Sequence, residues 1–393
     1  MRKIIGEELF TNSGEAITNG LVELDDWGRI LRVLRPEDPE YSIEGAERYE
    51  GWIIPGMINA HCHLELSHLK GKIKPHTGLD GFISELASAN TDGSDDLSAA
   101  SDAQNQMVQA GVVGVVDIAN TDRCFKLKSE SSLHYFTMVE RYGIRSDKAA
   151  EVIDSGLKLV ETARKLNLRA NLSPHASYSL SDALQKGIKE ALEQETDAIY
   201  SIHFMESAEE TELFKMGKGA IAERLRRWGL LDNGFPYSGQ RPAHYVLKGL
   251  PVNARVALVH NTFIEEQDLG AFQTRKHSVW FVLCPKANRY IENRLPDVDK
   301  ISGFTTKIAV GTDSLASNDA LEMVAELYEL QQSFPHIDCS ELIRWATLEG
   351  AKLMGLDRDL GSIEPGKRPG LVNIYPVDKL SKKLIKNSKS YLI

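Results

Sequence analysis

Eight short apolar runs, IIPGMINAH, GVVGVVDI, LHYFTMVE, RANLSPH, AIYSIHF, RVALVH, VWFVLC and KIAVGTD, constrain this chain more than any other feature. Between most of them lie stretches of helical period, such as AEVIDSGLKLVETARKLN and SDALQKGIKEALEQE. Runs this apolar suit parallel strands covered on both faces, and strand–helix alternation repeated eight times predicts an α/β fold, a (β/α)8 TIM-type barrel. The flanks differ. Residues 1–53 and 361–378 read as short strands and turns, and ITNGLVELDDWGRILRVLR, broken at Asn19-Gly20 and Gly28, has a hairpin-like pattern. The 393 residues are therefore expected to divide into a barrel, 54–355, and a small β domain assembled from 1–53 and 356–393. Residues 217–249 are expected to add a helix and loop over the barrel mouth. The basic, polar stretch Lys379 to Lys389 is expected to lie at the surface or fray.

Composition removes several alternatives. Lys and Arg number 46 against 56 Asp and Glu, a formal net charge of −10, which disfavours a nucleic-acid partner held by its phosphates. With 42% apolar and 26% charged residues the chain reads as globular. Cys62, Cys124, Cys284 and Cys339 are widely spaced and form no CxxC, so neither a disulfide framework nor a cysteine zinc site is expected, and a reducing cytoplasm is the expected location. No run is long enough to span a membrane, and Glu7 and Glu8 interrupt any secretory apolar segment.

Polar residues gather at the C-terminal ends of the apolar runs: His61 and His63, Glu140, His175, His203 followed by Glu206, His260 and Asp313. In a barrel these ends converge on one mouth, where the active site is expected. His61 and His63 are two apart, so on an extended strand they face one way and Cys62 the other. Imidazole and carboxylate together suit zinc or ferrous iron. Each residue alone has an ordinary reading: His260 as a core histidine, Asp313 as a turn residue, Glu206 as a first-turn helix acid. Their joint placement at run ends is what points to catalysis.

The segments PGMINAHCHLELS, SPHASYSLS, SIHFMES, ALVHNTF, LCPKANRYI, VGTDSLASNDALEM and TLEGAKLMGLDRDLGSIEPGK follow one another along nearly the whole chain. In this order they resemble the deaminase branch of the amidohydrolase superfamily, which includes cytosine, guanine and adenosine-type deaminases and triazine hydrolases. The resemblance implies a barrel with a small β-sandwich built from both termini. It implies one divalent metal, Zn or alternatively Fe, on His61, His63, His203 and Asp313. Catalytic roles fall to Glu206, His260 and Asp313, and His175 would sit at the substrate, with Glu65 and Asn288 as further substrate-binding candidates. Arg141, Tyr178 and Trp228 are each a pocket or a packing residue. The bridging lysine of the binuclear members is absent from Ser173-Pro174-His175, which favours one metal over a pair bridged through Glu140. The HLELS segment resembles the aminodeoxyfutalosine deaminases of the alternative menaquinone pathway, and Glu65 there would meet a ribose hydroxyl or support a histidine.

The implied chemistry is hydrolytic deamination of an amino-substituted heterocycle or adenosine-like nucleoside. The metal would activate water, Asp313 would take its proton, Glu206 would protonate the ring nitrogen, and His260 would stabilise developing charge. An unrelated class of zinc deaminases needs P-C-x-x-C, and Cys284-Pro285 has no second cysteine in register. The competing readings are a chlorohydrolase or cyclic amide or amidine hydrolase on the same site, and a ligand-binding barrel without catalysis. The expected partners are a small heterocyclic or nucleoside substrate and water, with a homodimer as the default assembly.

Overall fold

The computed structural model describes residues 1–89, 97–231 and 239–393, so the expected 217–249 insertion lies partly outside the described residues. The N-terminal segment supplies β1 (Arg2–Leu9), β2 (Ile17–Thr18), β3 (Leu21–Leu24), β4 (Ile30–Leu34) and β5 (Glu47–Pro55). Eight strands follow, each at one of the eight apolar runs: β6 (Met57–Cys62), β7 (Val112–Ala119), β8 (His134–Arg141), β9 (Arg169–Pro174), β10 (Ile199–Phe204), β11 (Arg255–His260), β12 (Val279–Leu283) and β13 (Ile308–Val310). The chain ends in β14 (Leu371–Asp378) and β15 (Lys383–Leu392).

The eight central strands form two parallel sheets, β6-β7-β8-β9 and β10-β11-β12-β13. The sheets meet at both edges beside their C-terminal ends, through bridges between Cys62 and Asp313 and between Ala176 and His203. There His61 O accepts from the backbone N–H groups of Thr312 and Asp313, each at 3.1 Å, and His175 O accepts from His203 N at 2.8 Å. The arrangement is of TIM-barrel type.

Alternation explains why the runs read as continuously apolar. Ile58, Val116, Ile118, Phe136, Met138, Ala257, Val259, Val282 and Ala309 pack in one cluster, floored by Leu353, Met354 and Leu360. Their neighbours Val115, Tyr135, Val139, Val256, Leu258, Phe281 and Leu283 belong to a second cluster shared with the surrounding helices. Both faces are buried, and each fully buried Val, Leu or Ile side chain contributes about 1.5–3 kcal/mol relative to exposure.

The two ends of the chain meet in one seven-stranded sheet, order β15-β14-β5-β1-β3-β4 with β2 on β1. Two expectations change here. The Lys379 to Lys389 stretch lies mostly at the surface, as expected, but is not frayed: Lys383 onward belongs to β15, antiparallel to β14, with Leu384 and Ser388 buried. Asn19-Gly20 is not a hairpin turn either, because β2 and β3 both pair with β1. The hairpin is β3–β4, closed where Asp25 N donates to Arg29 O. Of the insertion, helices Ala220–Arg227 and Pro242–Gly249 are described. They are tied down by Arg224 on Asp80 at 2.7 Å and by buried Arg241, bidentate to Asp268 at 2.6 and 2.5 Å.

Candidate active site

Strict alternation along β6 would not bring His61 and His63 to the mouth together with inward Ile58 and Ala60. The pairing with β7 resolves the conflict: Asn59 stands opposite Val115 and Cys62 opposite Asp117, three steps against two. This bulge carries one extra residue, so Ala60 faces the inner cluster while Cys62 drops into the outer one and the imidazoles reach the mouth. Gly311 permits the approach from β13. A Cβ there would stand 2.7 Å from His61 N and 2.8 Å from His61 O. His260 (φ 76°) and Asp313 (φ 58°) hold left-handed backbone, a conformation that costs a non-glycine residue about 1–3 kcal/mol and persists where surrounding structure enforces it.

Three imidazole nitrogens and a carboxylate oxygen converge here. His63 Nε2 lies 3.1 Å from His61 Nε2 and 3.3 Å from His203 Nε2, and Asp313 Oδ1 lies 3.6 and 3.4 Å from the Nε2 atoms of His61 and His63. All four residues are buried. A tetrahedral zinc with Zn–N near 2.05 Å would space its ligand atoms at about 3.3 Å, so this donor set fits a divalent cation in both chemistry and spacing. His203 Nδ1 sits 2.9 Å from His175 O; donation to that carbonyl leaves Nε2 as the lone-pair atom turned toward His63. Burial holds His63 down at about 3 and His203 well below the usual imidazole range, with the neighbouring histidines adding to the effect at His203, so both rings are neutral.

Two buried carboxylates at this cluster are shifted in opposite directions. Burial raises Asp313, but its interactions with His61, His63 and His260 outweigh it, and the carboxyl is pushed well below its ordinary range. Ser317 Oγ donates to its other oxygen at 2.5 Å. Burial, reinforced by Asp313 and Glu292, pushes Glu206 well above the usual value. Glu206 Oε1 lies 3.6 Å from His260 Nε2. An ionised Asp beside a neutral Glu is the pairing that divides base from acid.

The structure brings His61, His63, His203, His260, Asp313 and Glu206 together as expected, and places His175 beside them with its ring centroid 4.9 Å from that of His203. His175 Nδ1 meets Ser179 Oγ at 2.9 Å. Two of the substrate-binding candidates make bonds within the protein. Asn288 was expected at the substrate, but its Oδ1 lies 2.9 Å from His260 Nδ1 and its Nδ2 donates to His260 O at 3.2 Å, so its amide orients His260. Glu65 was expected at a substrate hydroxyl or as the support of a histidine. Its Oε1 instead accepts from Asn120 N at 2.9 Å, and its Oε2 from Thr121 N at 3.3 Å and Thr121 Oγ1 at 3.1 Å. It clamps the loop after β7.

Sequence reasoning passed over two supports of the site. Asp117 Oδ1 accepts from Leu64 N at 2.8 Å, directly after His63, while its Oδ2 is paired with the fully buried Lys128 at 2.8 Å. The signal was an aspartate inside the apolar run GVVGVVDI. Ser207 and Glu210 form a capping box at helix Ala208–Met216, and Glu210 Oε1 accepts from Glu206 N at 2.7 Å, fixing the backbone that carries the acid. The S-x-x-E pattern in ESAEETELF encodes it.

Parallel strands that turn a histidine–carboxylate set into their C-terminal mouth define a barrel hydrolase with a metal-binding centre. The chain matches the Amidohydrolase family over residues 52–390 and belongs to it, as its motifs implied. An adenosine deaminase of Helicobacter pylori is 27% identical over 378 residues, covering 93% of this chain and 87% of that protein. Among solved structures, the H. pylori aminofutalosine deaminase in complex with methylthio-coformycin superposes with a TM-score of 0.82 at 23% identity, covering 97% of this chain and 94% of that one. An adenosine deaminase from Xanthomonas campestris with bound zinc gives 0.73 at 21% identity, covering 95% and 84%.

Proposed function

We propose that this chain is a hydrolytic deaminase that converts the amino group of an adenosine-type nucleoside to the oxo form with release of ammonia, with aminodeoxyfutalosine the first substrate to test. The observation that carries the reading is the convergent His61–His63–His203–Asp313 set with Glu206 Oε1 3.6 Å from His260 Nε2 beside it, where the surroundings push Asp313 down and Glu206 up. The adenosine deaminase relative and the aminofutalosine deaminase neighbour support the substrate class. The zinc in the Xanthomonas campestris structure supports zinc over iron.

His61, His63, His203 and Asp313 would hold a divalent cation, which would supply Lewis-acid activation of water. Asp313, ionised, accepts the proton of the attacking water. Glu206, neutral, donates its proton to the ring nitrogen beside the amino-bearing carbon, which makes that carbon electrophilic. His260, held by Asn288, stabilises the charge that develops on the attacking oxygen. The proton gained by Asp313 then passes to the departing amine, and the proton left on the attacking oxygen returns to Glu206 as the oxo form is made. His175 borders the ring. The eight strands are read as one closed barrel, 54–355, and the seven-stranded sheet of 1–53 and 356–393 as the small sandwich domain. The separate apolar clusters around Ile4 and around Ile5 on its two faces support that division.

Purified protein loaded with zinc should release ammonia from one or more of adenosine, aminodeoxyfutalosine, guanine and cytosine, with the adenine nucleosides preferred. Metal bound at one equivalent with no release from any of them would overturn the reading.

A further inference from the structure

We infer that Glu326 is a positioning residue whose single carboxylate fixes Asp313 and His260 relative to each other; this rests on the deaminase reading above, in which those two residues handle the attacking water. Both hold left-handed backbone, at φ 58° and 76°, and each is pinned by an asparagine. Asn318 Nδ2 donates at 2.9 Å to Thr312 O, the carbonyl of the same peptide whose N–H, on Asp313, donates to His61 O. Asn288 Nδ2 donates to His260 O at 3.2 Å, and its Oδ1 lies 2.9 Å from His260 Nδ1. Glu326, fully buried in helix Met323–Ser333, joins the two asparagines. Its Oε1 accepts from Asn318 Nδ2 at 2.7 Å. Its Oε2 accepts at 2.9 Å from Lys286 N, two residues before Asn288 in helix Pro285–Glu292.

Cohesion alone does not call for a carboxylate there. A buried acid loses its hydration, and an apolar side chain of similar volume holds a core at least as well. The Lys286 ammonium is turned to Asp319 rather than to Glu326. What the two oxygens provide is a bridge between the loop after β12 and the loop after β13. The Lys286 N–H lies in the first turn of its helix, where no partner exists inside the helix, so the bond to Glu326 sets where that helix begins and where Asn288 stands. On the other arm Asn318 spends its amide on Thr312 O and Glu326 Oε1, and its Oδ1 accepts from Asp319 N at 2.9 Å, which leaves it one orientation. Both arms end on N–H donors, so both need an acceptor. A glutamine offers one acceptor oxygen and turns an NH2 toward the other donor, which keeps one arm and breaks the second.

The test uses zinc-loaded protein and the adenine nucleoside that the wild type turns over fastest, with metal content and melting temperature recorded for every variant. Glu326→Gln should lower kcat by about 10- to 100-fold with KM and bound metal little changed. A lower melting temperature with wild-type kcat per folded molecule, a loss confined to KM, or a loss in step with metal would overturn the positioning role and leave the deaminase reading standing. A double-mutant cycle gives the second readout. Glu326→Gln and Asn288→Ala act on the same histidine, so the double variant should lose well short of the product of the two single losses in kcat/KM. Losses that multiply in full are those of independent sites and overturn the inference. Asn318→Ala opens one arm only and carries both readouts if Glu326→Gln fails to fold. Release of ammonia from no adenine nucleoside by the wild type overturns the deaminase reading itself, and the positioning role falls with it.

Discussion

The strand mouth and the terminal sheet handle charge in opposite ways. At the mouth, Asp313, Glu206, Glu140 and four histidines are buried or nearly so, with left-handed backbone at His260 and Asp313. In the terminal sheet, charge sits mostly in open pairs such as Arg2–Glu47, whose side chains are 45% and 44% exposed, and buried Glu23 is held by Arg32 at 2.7 Å. Exposed pairs add little because water screens them, whereas buried groups shift their proton affinities and leave bonds unmade. The first region is organised for reactivity and the second for cohesion.

Chelation or Asp313→Asn tests this contrast most severely. Either should take deamination to background, with metal analysis showing loss of the cation from Asp313→Asn. Glu206→Gln should lower kcat by about 10²–10⁴-fold with metal retained. The wild-type rate should fall as alkali removes the raised Glu206 proton and also on the acid side as Asp313 is protonated. The variant should lose the alkaline limb in a pH–rate profile. Lys128→Met strands Asp117 as a lone buried charge beneath Leu64 N and should cost about 3–5 kcal/mol in denaturant unfolding. Asn288→Ala should lower kcat/KM by about 10- to 100-fold by freeing His260, without changing metal content. Arg2→Ala in the terminal sheet should cost only about 0.2–1 kcal/mol and leave turnover alone. A larger effect there would break the contrast.

Much of this was legible in the residues. Apolar runs become strands because both faces of a parallel sheet are buried, so composition alone marks them, and the run ends then locate His61, His63, His203, His260 and Asp313. Residues whose work depends on a distant backbone were illegible. Glu65 spends both oxygens on the loop 55 residues later, and Asn288 reaches back 28 residues to His260. The bulge in β6 is invisible to a period-two count because it appears only when Asn59 and Cys62 are paired with β7. Lys379 to Lys389 was legible as surface but not as strand. Edge strands carry lysines on their solvent face, so a basic stretch can still be a strand.

The joining of β5 to β14 has a consequence for synthesis. Ile53 pairs with Asn373, a partner made 320 residues later. At roughly 5–20 residues per second, β5 leaves the ribosome on the order of 15–60 s before the strand that covers its edge. During that interval the apolar Trp52-Ile53-Ile54 segment presents an unpaired edge, and the nascent chain is then most open to strand exchange with its neighbours on the same polysome.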